Sequence, residues 1–315
     1  MTATRGRGGR LRFAIIGCGV IAPTHAECFL EESDVELAWA CDLRLERARR
    51  LARRYGIART TARSAEVLAD PSVDGVAICT DHASHAPLTV AALRQGKHVL
   101  CEKALAANTA GLRRMLAAHA ARPELVFSGV FQHRFDALHR YVKGLVDEGW
   151  LGRLLTASVQ VRCLRTREYY ESEAWRGTWK QEGGAVLINQ AIHFIDVLLW
   201  VMGGAAEVCG AYANLTHGDC LEAEDTAAAA VRFRNGALGS IEATSSSHLA
   251  WEYAIGLHGT AGTVELRDGK AVKALFADAE RQAQAAQGLA ACRDQRGVRA
   301  GREYYGTGHR AQIAD

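Results

Sequence analysis

The chain has 315 residues, 49% hydrophobic and 23% charged, with a formal net charge of +3. That length and balance describe a globular chain with room for two domains, and so small a charge gives no basic face for nucleic acid. Nine cysteines without CxxC spacing argue for reduced thiols in a cytoplasmic protein, against a disulfide framework or a zinc site.

The start, 1–10, is basic and Gly-rich without an apolar core, and reads as a disordered tail rather than a signal peptide. From 11 to 131 strand and helix signals alternate. Strands are expected at 11–17, 35–42, 73–80, 98–101 and 125–131, and helices at 22–32, 44–55, 87–95 and 109–121. Such alternation implies parallel strands joined by right-handed crossovers, and runs such as FAII and GVAIC suit strands buried on both faces.

The pattern changes near Gln132. After a helix at 136–148, strands accumulate at 154–164, 206–216, 226–233, 237–245, 251–257 and 263–266, with hairpin signals at Asn235-Gly236 and Asp268-Gly269. One helix at 185–202 interrupts them. This predicts an α/β chain: an N-terminal Rossmann dinucleotide-binding domain over 11–131, then an α+β domain over 132–315 with a large, mostly antiparallel open sheet. The stretch 270–302 has weak periodicity and supports no placement.

The first strand runs into GCGVIA, with Gly17, Gly19 and Ala22 in GxGxxA spacing. Gly17 suits the tight turn, Gly19 lets the backbone approach a pyrophosphate, and Ala22 lets the helix pack on the strand. With Val20 and Ile21, these residues lead into a helix N-terminus, whose free N–H groups attract phosphate. Asp42 closes the second strand, placed to take the adenosine ribose hydroxyls and to repel a 2′-phosphate. NAD is thereby favoured over NADP, a preference that nearby Arg44 softens. Asp42 also suits the N-cap of the next helix.

Two further stretches carry chemistry. CEKAL holds Lys103, one of only six lysines in a chain that otherwise writes its 38 basic residues as arginine. The apolar helix at 185–202 carries Asn189, His193 and Asp196 within about 60° of one another at 100° per residue. Buried polar groups need partners, so this stripe faces a polar network or a wet cleft. Its polar load also argues against a membrane span. The pair His82 and His85 has HxxH spacing without a second ligand pair, so no metal is expected.

Taken together, LRFAIIGCGVIAPTHA, VDGVAICTDHASH, AALRQGKHVLCEKALA, FSGVFQHRF, EAWRGTW, GGAVLINQAIHFID and EDTAAAAVRFRNGALGSIEAT resemble the Gfo/Idh/MocA family of NAD(P)-dependent sugar and cyclitol oxidoreductases. The resemblance implies hydride transfer between nicotinamide and a secondary alcohol of a sugar, sugar acid or cyclitol. Glu102 and Lys103 match the family's Glu-Lys-Pro motif, whose lysine sits beside the nicotinamide. Thr80 and His85 match the loop lining the cofactor, and His193 matches the acid/base histidine. Asn189 stands where many members have aspartate, and Gln132, Arg134, Trp175 and Arg176 fall in segments flanking the substrate pocket. The motif's proline, commonly cis in relatives, is Ala104 here, and a proline after Thr80 is Asp81. Relatives continue past Asp315 into further helices, and the open sheet commonly serves as a dimer or tetramer interface. Two other readings stay open: an NAD-dependent glycoside hydrolase, and a non-catalytic cofactor-binding regulator on the same fold.

Overall fold

A computed structural model describes residues 9–292 and 308–315. Most of the expected tail and residues 293–302 of the unplaced stretch lie outside them. The chain divides into two compact units, one running up to Val130 and including His309–Asp315, the other beginning at Phe131 and including Gly308.

The first unit is a six-stranded parallel sheet of β1 (Leu11–Ile16), β2 (Val35–Cys41), β3 (Arg59–Thr61), β4 (Gly75–Ile78), β5 (His98–Cys101) and β6 (Phe127–Gly129) in the order β3-β2-β1-β4-β5-β6. Helices α1 (Ala22–Glu31), α2 (Leu45–Tyr55), α3 (Ser64–Ala69), α4 (His82–Arg94) and α5 (Thr109–Ala120) connect the strands. Strand β4 is buried at every position because the sheet is covered on both faces: one apolar cluster forms around Phe29, Leu37 and Leu51, another around Val67, Leu93 and Met115. The order reverses between β1 and β4, the switch point outside which α/β proteins bind ligands. The short β3 and α3 were not expected from sequence, since three and six residues carry too little periodicity to read.

The second unit holds a seven-stranded sheet. Its strands are β7 (Leu154–Leu164), β8 (Ala205–Ala213), β9 (Thr226–Phe233), β10 (Leu238–Thr244), β11 (Ser246–Gly259), β12 (Gly262–Arg267) and β13 (Lys270–Phe276), in the order β13-β12-β11-β7-β10-β9-β8. Only β7 and β10 pair in parallel. Both expected hairpins form: Asn235-Gly236 joins β9 to β10, and Asp268-Gly269 joins β12 to β13. One face packs on α6 (Ala137–Asp147) and α8 (Ile192–Met202) through Leu145, Phe194, Leu198, Ile255 and Leu257. Two further helices, α7 (Arg167–Glu171) and α9 (Ala279–Ala291), belong to this unit, and α10 (Gly308–Ala314) follows. The stretch that resisted placement supplies β13 and all of α9. Helix α9 buries only Ala285, so its exposed faces leave little apolar pattern. Among the described residues, no helix is long and apolar enough to cross a membrane.

The expected helix at 185–202 needs one correction. Its first part, Val186–Ala191, is a wider π-helical segment, and regular α geometry begins only at Ile192. The fixed 100° step used to align Asn189 with His193 and Asp196 therefore does not hold across the junction.

Candidate active site

In the first unit the glycine turn follows β1. Gly17 has φ +94°, and a Cβ there would lie 2.5 Å from the Cys79 carbonyl, so only glycine permits this approach of β1 to the end of β4. A Cβ on Gly19 would meet no described atom within 4 Å, which leaves open space beside the turn. Helix α1 starts after Ile21 with Pro23 in its first turn and without a side-chain cap on its N–H groups. Asp42 does not cap α2 as its N-cap residue; that position is Arg44. Instead Asp42 ties two backbone amides, accepting from Cys18 N–H through Oδ2 and from Arg44 N–H through Oδ1, both at 2.8 Å. Each carboxylate oxygen keeps a second lone pair, so the carboxylate braces the turn and still has acceptors for ribose hydroxyls.

At the end of β5, Glu102 is buried. Its Oε1 meets His25 Nε2 at 2.8 Å, and its Oε2 accepts the Lys103 backbone N–H at 3.1 Å. Burial alone would push its pKa up. The hydrogen bond and charge of His25, then His309 of α10 and Lys103, outweigh burial and bring it down to about 2. The Lys103–Ala104 peptide bond is cis, so the backbone form that relatives take with proline is present here with alanine. Fully buried His85 donates from Nδ1 to the Ala104 carbonyl (2.7 Å) and lies 3.2 Å from the Thr80 carbonyl through Nε2. Burial pushes its pKa down, so the ring is neutral and its one proton serves the shorter bond. His85 thus backs the turn after Lys103. All nine cysteines are free, and burial pushes the thiols of Cys18 and Cys41 up to about 12 and about 11.

In the second unit, a residue 35 positions past Asn189 opens the π segment. Buried Glu224 accepts the N–H groups of Ala185 and Leu187 at 3.0 Å, and its own carbonyl accepts Val186 N–H at 3.2 Å. A carboxylate at this end satisfies donors that a helix start leaves over. Its neighbour Asp225 binds the N–H groups of Leu215 (3.0 Å) and Thr216 (2.8 Å) and the His217 ring (3.0 Å). Sequence reasoning missed Glu224 and also Glu182, whose carboxylate accepts from Asn189 Nδ2. Tyr169 is a further missed residue: its hydroxyl oxygen accepts from Arg176 (2.6 Å) and Gln190 (3.0 Å). The Arg176 guanidinium lies over the Tyr169 ring at 4.4 Å and the Trp175 ring at 4.8 Å.

Arg134, expected in a segment flanking the substrate pocket, forms a bidentate pair with Asp196 at 2.7 and 2.6 Å. Asp196 accordingly fixes the short 3₁₀ turn Gln132–Phe135 onto α8. Gln132 is buried in that turn. Next to it, the His133 ring stands edge-on to His193 with centroids 5.3 Å apart and lies 4.8 Å from Phe194. Its Nδ1 donates to Asp136 at 2.6 Å, and His139 Nδ1 lies 2.8 Å from the His133 carbonyl. Burial would raise the Asp136 pKa, but the two imidazoles hold it far below the usual carboxylate range. Nitrogen and oxygen atoms of His133, Asp136 and His139 lie within 4.8 Å of one another, and these hydrogen bonds already engage them. Their spacing of three residues was the sequence signal that would have found this cluster.

A glycine turn feeding an uncapped helix, an acid ending β2 and a six-stranded parallel sheet together define a dinucleotide-binding α/β protein. Residues 11–130 match the description "Oxidoreductase family, NAD-binding Rossmann fold" and residues 139–265 match "GFO/IDH/MocA C-terminal domain"; the chain belongs to the GFO/IDH/MocA oxidoreductase family. It is 27% identical over 257 residues to the myo-inositol 2-dehydrogenase of Thermotoga maritima, covering 81% of this chain and 74% of that protein. It is 29% identical over 254 residues to the 1,5-anhydro-D-fructose reductase of Ensifer adhaerens, covering 80% and 74%. Among solved structures, the WlbA dehydrogenase from Bordetella pertussis, in complex with NADH and UDP-GlcNAcA, is similar with a TM-score of 0.84 at 28% identity, over 90% of this chain and 83% of that one. The cradle residues fit the cofactor of the matched description: open space at Gly19, uncapped N–H groups at α1 and acceptors on Asp42 suit NAD.

Proposed function

We propose that this chain is an NAD-dependent dehydrogenase that converts a secondary alcohol of a sugar, sugar acid or cyclitol to a ketone, and the reverse. The observation that carries the reading is the end of β5. There an ionised, buried Glu102 holds the Lys103 backbone at the C-terminal end of β5, in the same parallel sheet as the strand that bears the glycine turn. The relatives support the substrate class, since inositol and anhydrofructose are polyhydroxylated rings. NAD, when bound, supplies the nicotinamide carbon that takes the hydride. The chain's residues do the rest. His193 takes the hydroxyl proton as the C–H bond of the same carbon gives up its hydride, a task suited to an imidazole near working pH. Lys103 donates to the oxygen and stabilises the developing alkoxide. Lysine is a compact donor with an adjustable pKa, where arginine is a fixed planar fork. Asn189 hydrogen-bonds a neighbouring hydroxyl, Trp175 and Arg176 flank the ring, and Asp42 favours NAD over NADP.

The open sheet presents Leu238 of β10 and Leu275 of β13 on the face away from the helices, each more than half exposed, and we assign that face to self-association into a dimer or tetramer. The function is tested by following NADH absorbance over a panel of cyclitols, sugars and sugar acids. Reduction of NAD by at least one of them is expected. NAD binding by calorimetry with no turnover across the panel overturns the dehydrogenase reading.

A further inference from the structure

Glu182 is 1% exposed and lies seven residues before Asn189. One of its oxygens accepts the Asn189 side-chain amide, and the other accepts the backbone N–H of Gly177. Gly177 belongs to the loop that carries Trp175 and Arg176, whose carbonyl in turn accepts the N–H groups of Glu222 (3.0 Å) and Ala223 (2.9 Å). On its other side the Asn189 amide lies 3.5 Å from the Tyr169 hydroxyl. One buried carboxylate thus joins the loop at 175–180, α7 and the π segment.

An ionised carboxylate only accepts hydrogen bonds, and an amide donates only from nitrogen. The contact therefore fixes which way round the Asn189 amide stands. We propose that Glu182 is a positioning residue that determines specificity: it sets the orientation of the Asn189 amide and restricts position 189 to an uncharged donor. The inference rests on reading Asn189 as a contact to the sugar. Its physical basis is that a buried charge needs donors, and two carboxylates in hydrogen-bond contact cannot both ionise. Aspartate has nearly the shape of asparagine, yet at position 189 it traps a proton between the two side chains. Among the described residues, the other charged and titratable groups around the cluster are Tyr169 of α7, Arg176 of the loop, Arg165 just past β7 (5.1 Å over the Tyr169 ring) and Glu224, which is taken up by backbone N–H groups.

The test uses the full chain, Asn189→Asp, Glu182→Gln and the double variant, with thermal unfolding from pH 4 to pH 9. The shared proton raises the folded-state pKa above that of a free aspartate. Its contribution is complete below the unfolded value near 4 and is lost as pH rises through the folded value. Asn189→Asp should therefore lose about 5 °C relative to the parent between pH 4 and pH 8. The double variant moves the single charge across the same hydrogen bond and should regain the parent's profile. A single variant that follows the parent at every pH, or a double variant no better than the single, overturns the proposal. Where Asn189→Asp does not fold, folding of the double variant supports it and failure of the double overturns it. Glu182→Gln leaves two amides facing one another. Its KM for the sugar should rise about tenfold, with kcat and NAD affinity within about twofold; an unchanged KM overturns the proposal. If the parent oxidises no polyol, the dehydrogenase reading fails, while the thermal profiles still decide the role of Glu182.

Discussion

Both units bury carboxylates beside their candidate catalytic residues, and they neutralise them differently. In the first, Glu102 is balanced by groups that themselves titrate or carry charge: His25, His309 and Lys103. In the second, Glu224 and Glu182 are balanced by N–H dipoles of the backbone and of Asn189, which keep their polarity at every working pH. The difference separates two tasks. The lysine turn is held by charged and imidazole groups drawn from other helices, whereas the start of the substrate-side helix is held by neutral dipoles.

The sharpest way to break this contrast is Glu224→Ala. It strands N–H donors of Ala185 and Leu187, and should cost about 4 kcal/mol by chemical denaturation, equally at pH 6 and pH 8. A cost that changes between those pH values contradicts the account of Glu224.

Glu102→Gln should show the opposite character. The folded pKa lies below the unfolded value, so the carboxylate's contribution is fully present above about pH 4.5. It is lost as pH falls toward 2 and amounts to on the order of 3 kcal/mol. Unfolding midpoints for the parent should drop steeply across that window and those for the variant should drop less; parallel curves contradict the assignment.

Lys103→Ala keeps the Glu102 contact to the backbone N–H while removing the donor. It should lower kcat by about 10² or more with NAD affinity little changed. Near-normal turnover in a stopped assay removes Lys103 from the mechanism. The smallest effect is expected at the turn itself. Asp42→Ser should narrow the ratio of kcat/KM for NAD over NADP by about tenfold. A parent enzyme that prefers NADP shows the reading of Asp42 to be wrong.

These residues differ in how visible they are before folding. Strand and helix order in the first unit follows from continuous apolar runs and from GCGVIA, because a doubly covered parallel sheet leaves a local pattern. Hairpins at Asn235-Gly236 and Asp268-Gly269 are legible for the same local reason. The π segment is not, since the carboxylate that opens it lies 35 residues beyond Asn189 and no local spacing encodes it. The pairing of Arg134 with Asp196 was not legible either, because the two are 62 residues apart. Lys103 was visible by rarity. Its Glu102 partner was visible too, but not the imidazoles that hold it ionised, which come from α1 and α10.

Glu224 and Asp225 sit side by side just ahead of β9, yet one serves the helix start and the other the turn at 214–217. Extended chain sends successive side chains to opposite sides, so the meaning of this dipeptide lies in its order. Writing it as Asp-Glu conserves composition, charge and hydropathy while delivering each acid to the wrong address. A sequence comparison that scores the two acids as interchangeable would rate that exchange silent; the molecule would not.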